Sequence, residues 1–261
     1  MADTPIRFDD GAAYEQMMGV WSRSACEIFL DWVAPASGLR WVDVGCGNGA
    51  FTALIVGRCA PSVIHGIDPS EGQLAFARTR PDARGAEFHQ GDAMVLPFAD
   101  AGFDMAVMGL VIFFVPKPAT GVAEMVRVVR PGGIVATYAW DMLDGGFPLE
   151  PIYVEMRALG HMPVLPPSAA ASRIDALREL WTGAHLEAVE TREITVQRIF
   201  VDFDAFWTTS LKGPASAAFA KIPPADVEKI KARVRAGMTT DSSGRITATA
   251  RANAVKGRVP T

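Results

Sequence analysis

The sequence is poor in cysteine and has no long hydrophobic run. Its cysteines are Cys26, Cys46 and Cys59, and their spacing matches no metal-binding pattern. We therefore expect no metal site. An odd, sparse set of cysteines indicates reduced thiols, so we expect a cytoplasmic protein. The longest apolar run, residues 105–115, is too short to span a membrane. The N-terminal residues do not look like a signal or transit peptide.

Basic clusters are also missing. The chain has 25 Lys and Arg against 29 Asp and Glu, a formal net charge of −4, and no run of basic residues stands out. Because nucleic-acid backbones are bound by basic patches, we expect no nucleic-acid partner. We expect a small-molecule substrate instead, and a homodimer stays open as the state of assembly.

The first half of the chain alternates between predicted strands and helices. A length of 261 residues with 49% apolar content can build one large α/β domain. The predicted strands are residues 41–44, 63–67, 87–90, 104–108 and 134–139, and the predicted helices between them are residues 50–59, 73–79 and 120–129. Repeated βα units with apolar strands predict a Rossmann-like, doubly wound α/β fold with a mostly parallel sheet.

The pattern changes after residue 140. Glycine, proline and methionine replace the regular spacing, and two long alternating segments at residues 186–200 and 244–259 predict strands that pair antiparallel at the sheet edge. The helices between them would form a cap. We expect a single domain over residues 1–261, with an N-terminal helical segment (about 1–35), a ligand-binding core (40–140) and cap insertions (141–181 and 201–243).

One stretch predicts the ligand site. A short strand ends in Gly45, Gly47 and Gly49, and a predicted helix follows. Glycine lets a chain turn sharply against a ligand, and a helix start offers free N–H groups. The spacing fits the G-x-G-x-x-G/A pattern, and Asp68 at the end of the second strand fits an acid that binds ribose. These features indicate a ribose-containing ligand but do not choose between NAD and another nucleoside.

Two more carboxylates narrow the choice. Asp43 lies two residues before Gly45 and points at the loop. A negative charge there would oppose a pyrophosphate but suits an ammonium or sulfonium group. Asp92 ends the third strand, where a carboxylate could receive an adenine amino group. Both carboxylates argue against NAD as the ligand. An NAD-dependent oxidoreductase is kept as the alternative.

With these residues, the sequence resembles the class I S-adenosylmethionine-dependent methyltransferases, in particular the small-molecule branch that includes ubiquinone/menaquinone-biosynthesis-type enzymes. The resemblance rests on residues 42–49, 66–70, 91–98, 103–107 and 127–133. It covers about residues 40–140, in order and with the expected spacing. It also implies an antiparallel C-terminal edge strand.

The resemblance implies S-adenosyl-L-methionine as cofactor and S-adenosyl-L-homocysteine as product. The cofactor-binding residues it implies are Asp43, Gly45, Cys46, Gly47, Gly49, Asp68, Pro69, Asp92, Ala93, Met108, Gly109 and Leu110. The glycine loop and the residues leaving the fourth strand would face the methionine part, with Asp43 toward its ammonium group. Asp68 would bind the ribose hydroxyls, Pro69 would pack on the adenine, and Asp92 with Ala93 would reach the adenine edge.

The methyl acceptor is less well determined. Residues 109–116 contain no acid, histidine or lysine, and they lack the Asn/Asp-Pro-Pro-aromatic signature of DNA amino-methylating enzymes. Methyl transfer from a sulfonium needs alignment and exclusion of water, and it needs a base only if the acceptor must lose a proton. We expect a small, largely apolar acceptor and an unknown catalytic base, with a non-catalytic cofactor-binding protein as a further alternative. The candidate substrate residues, which also fit core or surface roles, are Tyr14, Trp21, Arg23, Phe113, Phe114, Phe147, His161, Phe206 and Trp207. His65 and His89 lie in predicted strands and are interpreted as structural.

Overall fold

A seven-stranded sheet forms the centre of the computed structural model, which describes residues 15–212 and 219–261. The strands are β1 (Arg40–Val44), β2 (Val63–Asp68), β3 (Glu87–Gln90), β4 (Phe103–Gly109), β5 (Val129–Trp140), β6 (Glu187–Phe200) and β7 (Ile246–Arg258). The α-helices described are α1 (Val20–Val33), α2 (Ala50–Cys59), α3 (Glu71–Thr79), α4 (Pro118–Val128), α5 (Glu150–Ala158), α6 (Ile174–Gly183), α7 (Phe203–Ser210) and α8 (Pro224–Gly237). A π-helical turn, Glu15–Gly19, precedes α1. The strand order is β3-β2-β1-β4-β5-β7-β6.

The first five strands are parallel to one another, as the βα repeats predict. The central strands carry apolar side chains on both faces, and Trp41, Val42 and Met105 are fully buried. A parallel strand covered by helices on both sides needs such a continuous apolar run. The predicted fold class is confirmed.

The last two strands pair antiparallel, also as predicted. β7 is antiparallel to β5 on one side and to β6 on the other. The antiparallel C-terminal strand therefore lies one position in from the edge, and β6 is the edge strand. Buried alternate residues such as Ile194 and Val196 on β6 and Ala250 on β7 explain the two-residue periodicity of the sequence.

Helices cover both faces of the sheet. On one face Phe29 of α1 and Phe51 of α2 pack around Tyr138 of β5, with ring centroids 4.7 and 5.5 Å from it. On the other face Trp181 of α6 donates its indole N–H to the carbonyl of Val135 at 2.9 Å. The described residues contain no helix that is long and apolar enough to cross a membrane.

Two local predictions were wrong. The fifth strand was predicted over residues 134–139, but β5 also includes residues 131–133, where Gly132 has a φ of 73°. Helix α5 lies in a segment without predicted regular structure. Its Pro151 stands in the first turn, where the backbone N–H groups have no partner within the helix, so a proline costs no hydrogen bond there.

The two segments predicted to form the cap contact each other. His161, after α5, has its Nε2 3.1 Å from Oδ2 of Asp226 on α8. Arg233 on α8 lies 3.6 Å from the carboxylate of Glu155 on α5. The division into core and cap insertions stays a prediction.

Candidate active site

The glycine loop connects β1 to α2, and all three glycines have positive φ angles: 77° for Gly45, 51° for Gly47 and 76° for Gly49. A Cβ on Gly45 would stand 2.5 Å from Cγ1 of Val111, and one on Gly49 would stand 3.0 Å from Cβ of Ala77. A Cβ on Gly47 would meet nothing within 4 Å among the described atoms. Gly45 and Gly49 therefore serve packing, while Gly47 borders open space.

Asp68 at the end of β2 fixes the same loop. Its carboxylate accepts the backbone N–H of Gly47 at 2.9 Å and that of Ser70 at 2.8 Å. Burial raises the pKa of Asp68, and these two hydrogen bonds oppose the rise. Because a carboxylate has about four acceptor positions, Asp68 keeps capacity to accept further hydrogen bonds from hydroxyl groups.

Asp43 has the most unusual environment of the predicted residues. It is only 1% exposed. Its Oδ2 accepts the hydroxyl of Thr52 at 2.7 Å, whereas its Oδ1 is buried without a hydrogen-bond partner among the described residues. Burial raises the pKa of Asp43 to about 7, the Thr52 hydroxyl opposes the rise and the charge of Asp68 adds to it. A buried acceptor without a partner is unfavourable, so this atom fits a ligand that brings a donor, above all a cationic one.

The third predicted carboxylate, that of Asp92, lies on the solvent-exposed side of the site. Asp92 is exposed, and its Oδ1 accepts the N–H of Met94 at 2.8 Å. Pro69 is also exposed, and its carbonyl accepts the side-chain amide of Gln90 at 3.1 Å. Ala93 is half-buried. Asp43, Asp68 and Asp92 thus lie at or just beyond the carboxyl ends of three neighbouring strands, the edge at which open α/β sheets bind ligands.

The end of β4 closes the opposite side of the glycine loop. Leu110 has a φ of 60°, unusual for a residue with a side chain, and its N–H donates to the carbonyl of Tyr138 at 2.7 Å. Gly109 is required here, because a Cβ would stand 2.6 Å from the ring of Phe51. The side chain of Met108 is buried on the other face of the sheet, beside Gly121 of α4, so only its backbone belongs to this edge.

Cys46 contributes packing to the loop. It is buried, and its Sγ lies where a Cβ on Gly66 would approach to 2.8 Å. Burial, together with the charges of Asp43 and Asp68, raises the pKa of the Cys46 thiol well above its usual range. A thiol in such surroundings is a poor nucleophile.

Three of the candidate substrate residues belong to one buried aromatic cluster. Trp21 lies 6.5 Å from Phe200, and Phe206 lies 5.3 Å from the same ring. Trp207 stacks on Phe203 at 6.1 Å. In contrast, the Arg23 side chain is 69% exposed and pairs with Glu27. Tyr14 lies outside the described residues.

The other candidates lie beside the cap segments. Phe113 and Phe114 form a short 3₁₀ turn after β4, with ring centroids 4.7 Å apart. Ser168 ties this turn to the following segment, because its N–H donates to the Phe113 carbonyl at 2.9 Å and its hydroxyl to the Val115 carbonyl at 2.8 Å. Phe147 packs on Tyr153. His161 contacts Asp226, as described above.

Sequence reasoning missed Thr52, Val111 and Ser168. Thr52 lies in the first turn of a mostly apolar helix, and Val111 is one aliphatic residue in an apolar loop. Ser168 is 53 residues from its partner Val115. None of these residues carries a motif, and only their positions in space connect them to the site.

Residues 42–137 match a family model described as a methyltransferase domain. The fatty-acid O-methyltransferase of Mycolicibacterium smegmatis is 29% identical over 189 residues, 72% of this chain and 65% of that protein. The demethylmenaquinone methyltransferase of Desulfitobacterium hafniense is 37% identical over 124 residues, 45% of this chain and 47% of that protein. The chain therefore spans about half to two thirds of the length of these curated relatives.

A solved structure shares the fold. Phosphoethanolamine N-methyltransferase 2 of Haemonchus contortus, solved with S-adenosyl-L-methionine, superposes with a TM-score of 0.60 at 16% identity, over 97% of this chain and 58% of that one. The alternative of an NAD-dependent oxidoreductase is not favoured by these matches. Residues 42–137 of this chain therefore carry a methyltransferase domain, in a sheet of the order β3-β2-β1-β4-β5-β7-β6 with the glycine loop and its carboxylates at the strand ends.

Proposed function

We propose that this protein transfers a methyl group from S-adenosyl-L-methionine to a small, largely apolar organic acceptor. The observation that carries the proposal is the buried Oδ1 of Asp43, which has no hydrogen-bond partner among the described residues, on the strand that leads into the glycine loop. An ammonium group satisfies a buried carboxylate oxygen, whereas a diphosphate would repel it. This environment supports a cationic nucleoside over a dinucleotide.

In the proposed complex, each predicted cofactor residue has a separate task. Asp43 binds the ammonium group, directly or through a water molecule, and Asp68 accepts from the ribose hydroxyls while it holds the Gly47 N–H. Pro69 and Ala93 pack against the adenine, and exposed Asp92 accepts from its amino group. The main chain at the end of β4 lies along the methionine part.

The sulfonium of the bound cofactor supplies an already activated methyl group, so the protein mainly needs to bind and align. The chain's own residues orient the acceptor in line with that methyl group and exclude water. The buried, uncharged turn after β4 fits this task. Residues 109–116 provide no general base, which favours an acceptor that is already nucleophilic at neutral pH.

An acceptor with a carboxylate on an apolar chain is largely apolar and is already nucleophilic at neutral pH. Arg198 of β6 supports this acceptor class: it is half-buried, its guanidinium lies 4.7 Å from the Phe200 ring centroid, and Nη1 donates to the Met17 carbonyl at 2.9 Å. No carboxylate within residues 15–212 and 219–261 forms an ion pair with it. Burial lowers the pKa of Arg198, so an acceptor carboxylate would compensate a charge that has no anionic partner within the described part of the chain. The relative named a fatty-acid O-methyltransferase supports the same class.

The proposal also covers the domain organisation, the cellular compartment and the partners of the protein. We infer a single methyltransferase domain with a cap built from residues 141–181 and 201–243, working in the cytoplasm without nucleic acid. Three free, buried cysteines support a reducing compartment. A homodimer stays open.

The test is release of S-adenosyl-L-homocysteine in the presence of single acceptors. Long-chain fatty acids and demethylated quinones form the two arms of the panel. We expect turnover with an apolar acceptor, and with fatty acids before quinones. Absence of turnover with both arms, in protein that binds the cofactor, would contradict the acceptor class.

Arg198→Met tests the carboxylate contact, because methionine keeps an unbranched side chain and removes the charge. We expect the KM for a fatty acid to rise tenfold or more, while cofactor affinity stays unchanged. Arg192→Met is the matched control, an exposed arginine on the same strand. Equal KM values in the two variants would assign Arg198 a structural role only.

A further inference from the structure

Three side chains with metal-binding chemistry meet on the edge of the sheet that β2 and β3 form. In the parallel register, His65 of β2 stands opposite Glu87 of β3. His89 is two residues further along β3, so it points to the same face as Glu87. Gly66, next to His65, faces Cys46 and Phe88 on the other side. The cluster therefore lies across the sheet from the cofactor loop.

The three ligand atoms are spaced for one small ion. His65 Nδ1 lies 2.8 Å from His89 Nε2 and 3.6 Å from Glu87 Oε2, and His89 Nε2 lies 3.8 Å from the same oxygen. Zinc bonds of about 2.0–2.1 Å in a tetrahedron place ligand atoms roughly 3.3 Å apart. Side-chain shifts of about half an ångström convert the observed triangle into that geometry.

The surroundings orient the imidazoles and leave them accessible. His65 packs on Phe98 and Phe103 with ring centroids 5.4 and 5.6 Å away, and His89 packs on Phe98 at 5.5 Å. Glu87 and His89 also line a surface groove along β3, which gives an ion a route from solvent.

We propose that His65, Glu87 and His89 bind a divalent zinc-class ion, with a fourth position open to water. Two imidazoles and one carboxylate suit zinc better than magnesium or calcium, which prefer oxygen ligands alone. The connection between β3 and β4 contains no helix, so this part of the sheet face lacks the helical cover that α4 gives to β4. An ion here would join the edge strand β3 to β2, and it does not depend on the proposed methyl transfer.

Zinc titration of chelator-treated, tag-free protein tests the proposal. We expect one zinc per chain and a rise of the melting temperature on binding. Cobalt(II) in the same site should give tetrahedral absorption without thiolate-to-cobalt charge transfer, which excludes the three cysteines as ligands.

His89→Gln and Glu87→Gln are the test variants, because both side chains are partly exposed and their loss should not prevent folding. His89→Gln should weaken zinc binding at least a hundredfold and Glu87→Gln at least tenfold. His185→Asn is the matched control: His185 is exposed and has a φ of 60°, which asparagine tolerates. This variant should bind zinc as the unaltered chain does. Absence of saturable zinc binding, or binding unchanged by His89→Gln, would overturn the proposal.

Discussion

Gly47 and Asp43 define the proposed cofactor site at the scale of single residues. Gly47 leaves space that a side chain would fill, and Asp43 leaves one oxygen that a donor would satisfy. In the free protein the unpartnered oxygen is energetically unfavourable, and the space beside Gly47 is not used for packing. Sites that bind ligands often keep such local imperfections.

Gly47→Ala tests whether the cofactor occupies the open space beside Gly47, and a control variant accounts for the strain of a positive φ angle. At a φ of 51° alanine adds strain of about 1 kcal/mol, and its methyl group enters the open space. We expect affinity for S-adenosyl-L-homocysteine to fall at least tenfold, measured by calorimetry. Gly38→Ala is the control, because Gly38 has a φ of 76° and also faces open space but precedes β1. If both variants bind equally well, the space beside Gly47 is not the cofactor site.

Asp43→Asn tests the buried charge through stability. The carboxyl group titrates near pH 4 in an unfolded chain and near pH 7 in the folded protein. Between these values the unfolded state releases a proton that the folded state keeps, so the free energy of unfolding falls as pH rises, by up to about 4 kcal/mol. Asparagine does not titrate, so the variant does not show this fall in the free energy of unfolding. The variant should gain stability relative to the unaltered chain as pH rises from 4 to 8, and a gain independent of pH would contradict the raised pKa.

The same residue links pH to cofactor affinity. An ammonium group beside Asp43 favours its charged form, so binding below pH 7 must release a proton. We expect the affinity for S-adenosyl-L-homocysteine to decrease as pH falls from 8 to 6, and Asp43→Asn to bind more weakly with a flatter pH profile. Calorimetry in buffers of different ionisation enthalpy measures the released proton. If the affinity of the variant changes with pH as strongly as that of the unaltered chain, a group other than Asp43 causes the pH dependence.

At the scale of elements, the loop after β4 joins the two halves of the site. Val111 packs on Gly45 of the cofactor loop, and Val115 accepts the hydroxyl of Ser168 in the cap segment. A shift of this loop therefore reaches both the cofactor and the proposed acceptor region.

Ser168→Ala tests that connection. It removes one hydrogen bond of about 1 kcal/mol and leaves the bond from the Ser168 N–H to the Phe113 carbonyl. We expect the KM for the acceptor to rise several-fold and cofactor affinity to stay within twofold. Ser243→Ala, which removes a hydroxyl bonded to Asp241 in an exposed turn, should change neither value. A change in cofactor affinity alone would show that the cap does not position the acceptor.

The elements could be predicted where burial sets the sequence pattern. β1 and β4 are covered on both faces, so their apolar runs were visible, and the one-sided burial of β6 and of the first half of β7 produced clear alternation. Helix α5 was missed because its segment is rich in glycine, proline and methionine and shows little periodicity, although a proline fits the first turn of a helix. The pairing of His65 with Glu87 was not visible, because it depends on the register of two strands.

At the scale of the whole molecule, the carboxyl ends of the strands gather the predicted cofactor residues on one edge. The residues of the proposed cofactor site could be named from the sequence because they lie close to strand ends and belong to motifs. The proposed acceptor site would draw on aromatic residues from α1, α7 and the turn after β4, which are far apart in the chain. Their sequence pattern does not differ from that of a core, so Trp21 and Phe206 could not be assigned to substrate or packing.

Calorimetric titration with S-adenosyl-L-homocysteine tests the central claim most directly, because it needs no knowledge of the acceptor. We expect one binding site per chain, with Asp68→Ala weakening the affinity several-fold or more. NADH serves as the competing ligand and should neither bind nor displace S-adenosyl-L-homocysteine. Folded protein that binds neither S-adenosyl-L-methionine nor S-adenosyl-L-homocysteine, or that binds NADH in their place, would contradict the account.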